Sequence, residues 1–127
     1  MIEFFDLDQE NGVASFYDNH ITFNKPMIKY FEDAYRVRVG NDIDAKKVYL
    51  FIFDKDKALN GEVSESSLLK PSFSKTYVRI CSKQLTDFIL KSYEKKIIDD
   101  VPLKFKSSFD EDKKAVVIDM EGQIVWI

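Results

Sequence analysis

Asp18-Asn-His-Ile-Thr-Phe-Asn-Lys-Pro-Met-Ile-Lys-Tyr-Phe31, followed by Tyr35-Arg-Val-Arg-Val39, is the stretch on which the fold assignment turns. Asp18-Asn19 is a turn pair, because both side chains bond readily to their own backbone. Ile21-Thr22-Phe23 alternates apolar and polar residues and reads as a short strand. Asn24 is a good helix cap, and Pro26 falls in the first helical turn, where a missing N–H costs nothing. Met27, Ile28 and Phe31 recur at helical spacing, so a short helix is expected over about 25–33. Val37 and Val39 then alternate with Arg36 and Arg38, the pattern of a strand with one buried face.

The same order recurs downstream. A displacement of 57 residues lays Ile21 on Val78, Phe23 on Ile80, Ile28 on Leu85 and Phe31 on Phe88. A displacement of 64 lays Val37 on Val101 and Val39 on Leu103. Both copies run on into an acidic-then-basic turn, Asp42 to Lys47 and Asp110 to Lys114, and a further apolar strand. The expected fold class is therefore α+β: a β-rich single domain of two similar strand–helix–strand–strand units, antiparallel, with two short helices and a pseudo-twofold arrangement. Neither unit would bury its apolar faces alone. The organisation expected is one domain over 1–127, with N-terminal strands in 1–20, a first unit in 21–60, a connector in 61–74, a second unit in 75–120 and a terminal strand in 121–127.

Taken as a unit, Asp18 to Phe31 with Tyr35 to Val39 resembles the swapped-hairpin module of AbrB-type transcription regulators. The likeness covers about 21–54 and, more loosely, 77–120. It implies two interlocked modules in tandem and association with duplex DNA. The chain departs from the family where a Gly-Asp turn usually joins helix and second strand: Asp33-Ala34-Tyr35 stands there in the first copy and Lys95 to Asp100 in the second.

Outside that core, Ile2–Leu7 and Val13–Tyr17 read as strands around an Asn11-Gly12 turn, and Gln123–Ile127 as a last strand after a Glu121-Gly122 turn. Leu85, Phe88, Ile89 and Tyr93 form one helical stripe. Val101, Leu103 and Phe105 alternate with Pro102, Lys104 and Lys106 as a one-sided strand. With 45% apolar residues, eleven Phe and six Tyr among 127, the composition is that of a folded chain. The single cysteine, Cys81, excludes an intramolecular disulfide and suits a reducing compartment. The start lacks a signal-peptide pattern, and the longest apolar run, Val48–Phe53, is too short to span a membrane, so a cytoplasmic location is expected.

The net charge of −3 is unevenly spread. Residues 1–20 carry five acids and no Lys or Arg, whereas 67–107 carry nine bases against four acids. Lys25, Lys29, Arg36 and Arg38 in the first copy, with Lys75, Arg79 and Lys83 in the second, are the candidate nucleic-acid-binding residues, since phosphate contacts need several aligned cations. The plainer alternative is the solvated side of amphipathic elements.

No catalytic, cofactor or metal set is expected. Asp54-x-Asp56 with Glu65 mimics the ends of a calcium loop, but Ala58 and Leu59 stand where a ligand and the turn glycine belong. Ser67-x-x-Lys70 and Ser72-x-x-Lys75 lack the companion motifs of Ser–Lys enzymes. His20 has no metal-site spacing; with Cys81 it could form a thiol–imidazole pair, a structural cysteine being the simpler assignment. Tyr30, Tyr35, Tyr49, Tyr77 and Trp126 could stack on bases or fill a protein interface. Strand 48–53, apolar on both faces, is the candidate surface for a second copy or another protein. The expectation is a non-enzymatic, DNA-associated, regulator-like module. The alternative is an accessory interaction protein of phage or mobile-element type with no nucleic-acid role.

Overall fold

A computed structural model describes residue 2 and residues 11–124. Of the expected strand Ile2–Leu7 all but Ile2 lies outside the described residues, as do residues 125–127 of the expected strand Gln123–Ile127, Trp126 among them. Among the described residues, nine strands form one antiparallel sheet: β1 (Gly12–Phe16), β2 (His20–Asn24), β3 (Arg36–Asp42), β4 (Lys47–Phe53), β5 (Leu68–Leu69), β6 (Pro71–Phe73), β7 (Tyr77–Cys81), β8 (Leu103–Asp110) and β9 (Ala115–Ile124). Their lateral order is β5-β3-β4-β9-β8-β1-β2-β7-β6. The two edge strands, β5 and β6, are separated in sequence by Lys70 alone. A sheet whose edges are tied by one residue has to curl round on itself, and the result is a nearly closed barrel.

This corrects the expected α+β class built from two strand–helix–strand–strand units. The strands of both halves join a single sheet around a single core, and the helices are minor. A seven-residue 3-10 helix, Lys25–Phe31, follows β2; α1 (Lys55–Leu59) follows β4; a three-residue 3-10 turn, Glu65–Ser67, precedes β5; and α2 (Lys83–Ser92) follows β7. The connector expected over 61–74 supplies β5 and β6, which bring the sheet edges together. Within this one sheet the hairpin registers repeat at 57 residues: Ala14↔Phe23 and Phe16↔Ile21 in β1–β2 match Pro71↔Ile80 and Phe73↔Val78 in β6–β7. These registers do not divide the chain into two cores.

Alternation sets the inner wall. Leu103, Phe16, Ile21, Ile80 and Pro71 stand in one row across β8-β1-β2-β7-β6, and Phe105, Ala14, Phe23 and Val78 in the next. Phe16, Phe23, Phe105, Ile21 and Ile80 are fully buried. Because β2 and β7 are antiparallel, the helices that follow them leave from opposite ends of the pair. The 3-10 helix inserts Met27 and Phe31, with Ile28 only half-buried. Helix α2 inserts Leu85, Thr86, Ile89 and Leu90, while Phe88 is 55% exposed and lies off the buried stripe expected for it. Buried Thr86 donates its hydroxyl to the Asp18 carbonyl at 2.9 Å, fastening α2 to the β1–β2 turn.

The carboxylates of the turns bond locally. Asp42 accepts from the Ala45 amide, Asp110 from the Lys113 amide and Asp54 from the Lys57 amide at the start of α1. Lys46 and Lys114, which close the β3–β4 and β8–β9 turns, take left-handed backbone angles (φ 56° and 51°). Strand β9 runs straight through Glu121-Gly122 instead of turning there, with an irregular register against Phe105–Ser107 of β8. Strand β8 begins at Leu103, and Val101 is exposed beside an isolated bridge to Ile98. Among the described residues, no helix is long and apolar enough to cross a membrane.

Candidate functional site

The residues that alternate with the core rows form the outer wall of the same strands. Lys104, Ser15, Thr22, Arg79 and Ser72 are register partners in sequence across β8-β1-β2-β7-β6. Antiparallel partners project to the same face, so the five side chains form one outward row. Lys104 and Arg79 are three strand spacings apart, about 14 Å. Lys106, opposite Val13, extends the cationic side of this face. No Asp or Glu projects from this row among the described residues.

An open cleft of about 420 Å³ lies on this face, lined by Ser15, Tyr17, His20, Thr22, Asn24, Thr76, Tyr77 and Arg79. Tyr17 and His20 stack with ring centroids 4.4 Å apart and planes 10° from parallel. The short turn between β1 and β2, closed by Tyr17 N–H to the His20 carbonyl at 2.8 Å, puts the two rings side by side. His20 Nδ1 lies 2.7 Å from Asn19 Oδ1. Since that oxygen can only accept, Nδ1 carries the proton and Nε2 is the atom that titrates. Burial, and then the Arg79 guanidinium, lower the His20 pKa from its ordinary value. Asn24 braces the start of β1, its Oδ1 accepting from the Val13 amide and its Nδ2 donating to the Asn11 carbonyl, so it does not cap the helix it precedes.

The seven cations expected to bind nucleic acid are dispersed. Arg79 lies in the cleft, and Lys75 in the turn leading into β7. Lys25 and Lys29 lie on the 3-10 helix, where Lys29 sits over the Tyr30 ring at 5.1 Å. Arg36 and Arg38 lie on β3, with β5, β6 and β7 between them and β2; Arg36 covers the Tyr35 ring at 4.3 Å and donates to the Tyr35 carbonyl. Lys83 is paired with Asp18 at 3.3 Å and Asp87 at 3.6 Å, and those carboxylates raise its pKa. Lys104 and Lys106 were not among the seven, although their alternation with Leu103 and Phe105 already marked them as outward-facing.

Cys81 is exposed and is the register partner of His20, but it does not line the cleft. On β4, Tyr49 and Phe51 face outward and are half-buried, over Val117 and Ala115 of β9. Among the described residues, no group of three His, Cys, Asp or Glu side chains is placed to hold a metal ion. No family model, no curated protein and no solved structure matches this chain.

Proposed function

We propose that the protein is a non-enzymatic binding module that carries a nucleic-acid strand on the outer face of β8-β1-β2-β7. The observation that supports this is the outward row from Lys104 to Arg79, cationic, rich in hydroxyls and free of carboxylates among the described residues. Phosphates are attracted by such a row, and the Tyr17, His20 and Tyr77 rings in the adjoining cleft are suited to stacking on bases. The resemblance of residues 21–54 implies association with duplex DNA instead, and a comparison of strand with duplex separates the two.

The test is fluorescence anisotropy with a labelled single strand of about 15 nucleotides, long enough to cover one small barrel, and a duplex of equal length for comparison. Arg79→Ala, Lys104→Ala and Lys106→Ala should each weaken binding. Each should also flatten the plot of log affinity against log salt, by about 0.7 per lost phosphate contact. Arg38→Ala and Lys83→Ala serve as controls and should leave binding unchanged. An equal loss from the controls, or no binding at low salt, would refute the proposal.

A second reading has one observation in its favour. Tyr49 and Phe51 place half-buried aromatic surface on the outside of a central strand, with their rings stacked at 6.0 Å between centroids. A protein partner could dock there, and Tyr49→Ser with Phe51→Ser would then abolish a complex seen by sedimentation.

A further inference from the structure

We infer that the cleft between β1, β2 and β7 is a phosphate-binding subsite in which Arg79 and His20 act together, and that phosphate binding there is coupled to uptake of a proton by His20. This rests on the reading of the face as a nucleic-acid surface and narrows it to one contact.

The geometry supplies the parts. Arg79 stands directly opposite Thr22 on the β2–β7 ladder, and His20 is two residues before Thr22 on the same face. Guanidinium, imidazole and the hydroxyls of Ser15, Thr22, Thr76 and Tyr77 all line one cleft. Among the described residues, none of the ion pairs involves Arg79, so its charge is available to an anion. A guanidinium offers planar, paired N–H donors that match two phosphate oxygens. The Asn19 contact holds the imidazole with Nδ1 as donor, which leaves Nε2 to become a second donor when it is protonated.

Among the described residues, the charged and titratable groups around His20 are few. Tyr17 faces it from the β1–β2 turn; Arg79, Tyr77 and Cys81 come from β7; and Asp18, in the same turn, is already paired with Lys83 of α2. Burial and then the Arg79 guanidinium oppose protonation of His20. A phosphate between them reverses that balance, because both cations then face an anion. Binding should therefore raise the His20 pKa. Affinity should be highest below the free-state pKa and fall as pH rises through the bound-state one. A rise of about one unit corresponds to a tenfold loss of affinity across that window.

His20 is the single histidine of the chain, so its imidazole resonances need no assignment. The experiment follows them by NMR against pH in the full chain, with three probes: inorganic phosphate, an oligothymidylate with a 5′-phosphate and the same strand without it. Anisotropy is measured in parallel. The expected result is a raised His20 pKa with the strands, lost in Arg79→Ala and in Arg79→Gln. His20→Gln should bind strands at every pH with the weaker affinity that the parent shows at high pH, a flat profile that damage to the fold would not produce. If strands bind while the His20 titration stays put, the subsite is refuted and the nucleic-acid surface stands. If inorganic phosphate shifts His20 but no strand binds, the subsite stands and the surface reading falls. If neither phosphate nor strand has any effect, both are overturned.

Discussion

Phe16 of β1 and Phe105 of β8 meet edge to face inside the barrel, with ring centroids 5.4 Å apart and planes at 81°. Both are fully buried, and they come from near opposite ends of the chain. The contact joins the β1–β2 hairpin to the β8–β9 hairpin, so it holds together parts that local structure could not. Phe105→Ala should therefore destabilise the protein by about 3–5 kcal/mol, the usual range for removing a buried aromatic ring. Phe88→Ala, at an exposed position on α2, should stay within about 0.5 kcal/mol. Urea unfolding midpoints of the two variants compare them directly; a similar loss in both would contradict the placement of Phe88.

Gly12 should tolerate no side chain. A β-carbon built there would overlap Met27 Sδ and the Ser107 carbonyl oxygen. The methionine can move aside, but the backbone oxygen belongs to the β1–β8 ladder. Gly12→Ala is expected to cost about 1–3 kcal/mol through overpacking. At Gly40 the nearest atom to such a carbon is on the Phe51 ring at 3.4 Å, so Gly40→Ala should cost clearly less. Thermal melts of the two variants check the order.

Thr86→Val tests how α2 is attached to the barrel. The replacement keeps the shape and removes the hydroxyl that bonds the Asp18 carbonyl. A loss of about 1 kcal/mol is expected, the ordinary net value of one such bond. Faster amide exchange in α2 than in β8 would localise the effect.

His20 also makes stability depend on pH. Its pKa in the folded chain is depressed, so the unfolded chain binds the proton more readily. The contribution is fully present above the unfolded pKa of about 6.5 and is lost as pH falls through the lower folded value. Urea midpoints taken downward from pH 7.5 should drop less steeply in His20→Gln than in the parent; identical slopes would exclude this role.

Much of the local structure was legible in the chain. Ile21 and Phe23, Val78 and Ile80, and Leu103 and Phe105 declared their buried faces by alternation, and Asp42 and Asp110 declared their turns. The balance of helix and sheet was not legible. Met27, Ile28 and Phe31 indicated a short helix over about 25–33; the segment is helical over Lys25–Phe31, but as a 3-10 helix that buries Met27 and Phe31 and leaves Ile28 half-buried. Leu68 and Leu69 sat in a stretch dense in serine and lacked the length of a normal strand. They became β5 because Val37 and Arg38 offered an open strand edge.

The candidate site shows the same division. Taken alone, the sequence determined which residues share a face of their own strand: Lys104 with Lys106, His20 with Thr22, Arg79 with Tyr77. Tertiary pairing alone decided that Lys104, Ser15, Thr22 and Arg79 stand in one row and that Arg36, Arg38 and Lys83 are elsewhere. The physical reason is one of range. Side-chain direction follows from the two-residue repeat of the extended backbone, a property of each segment by itself. Which strands become neighbours follows from how the whole chain buries its apolar faces together, and no segment carries that choice.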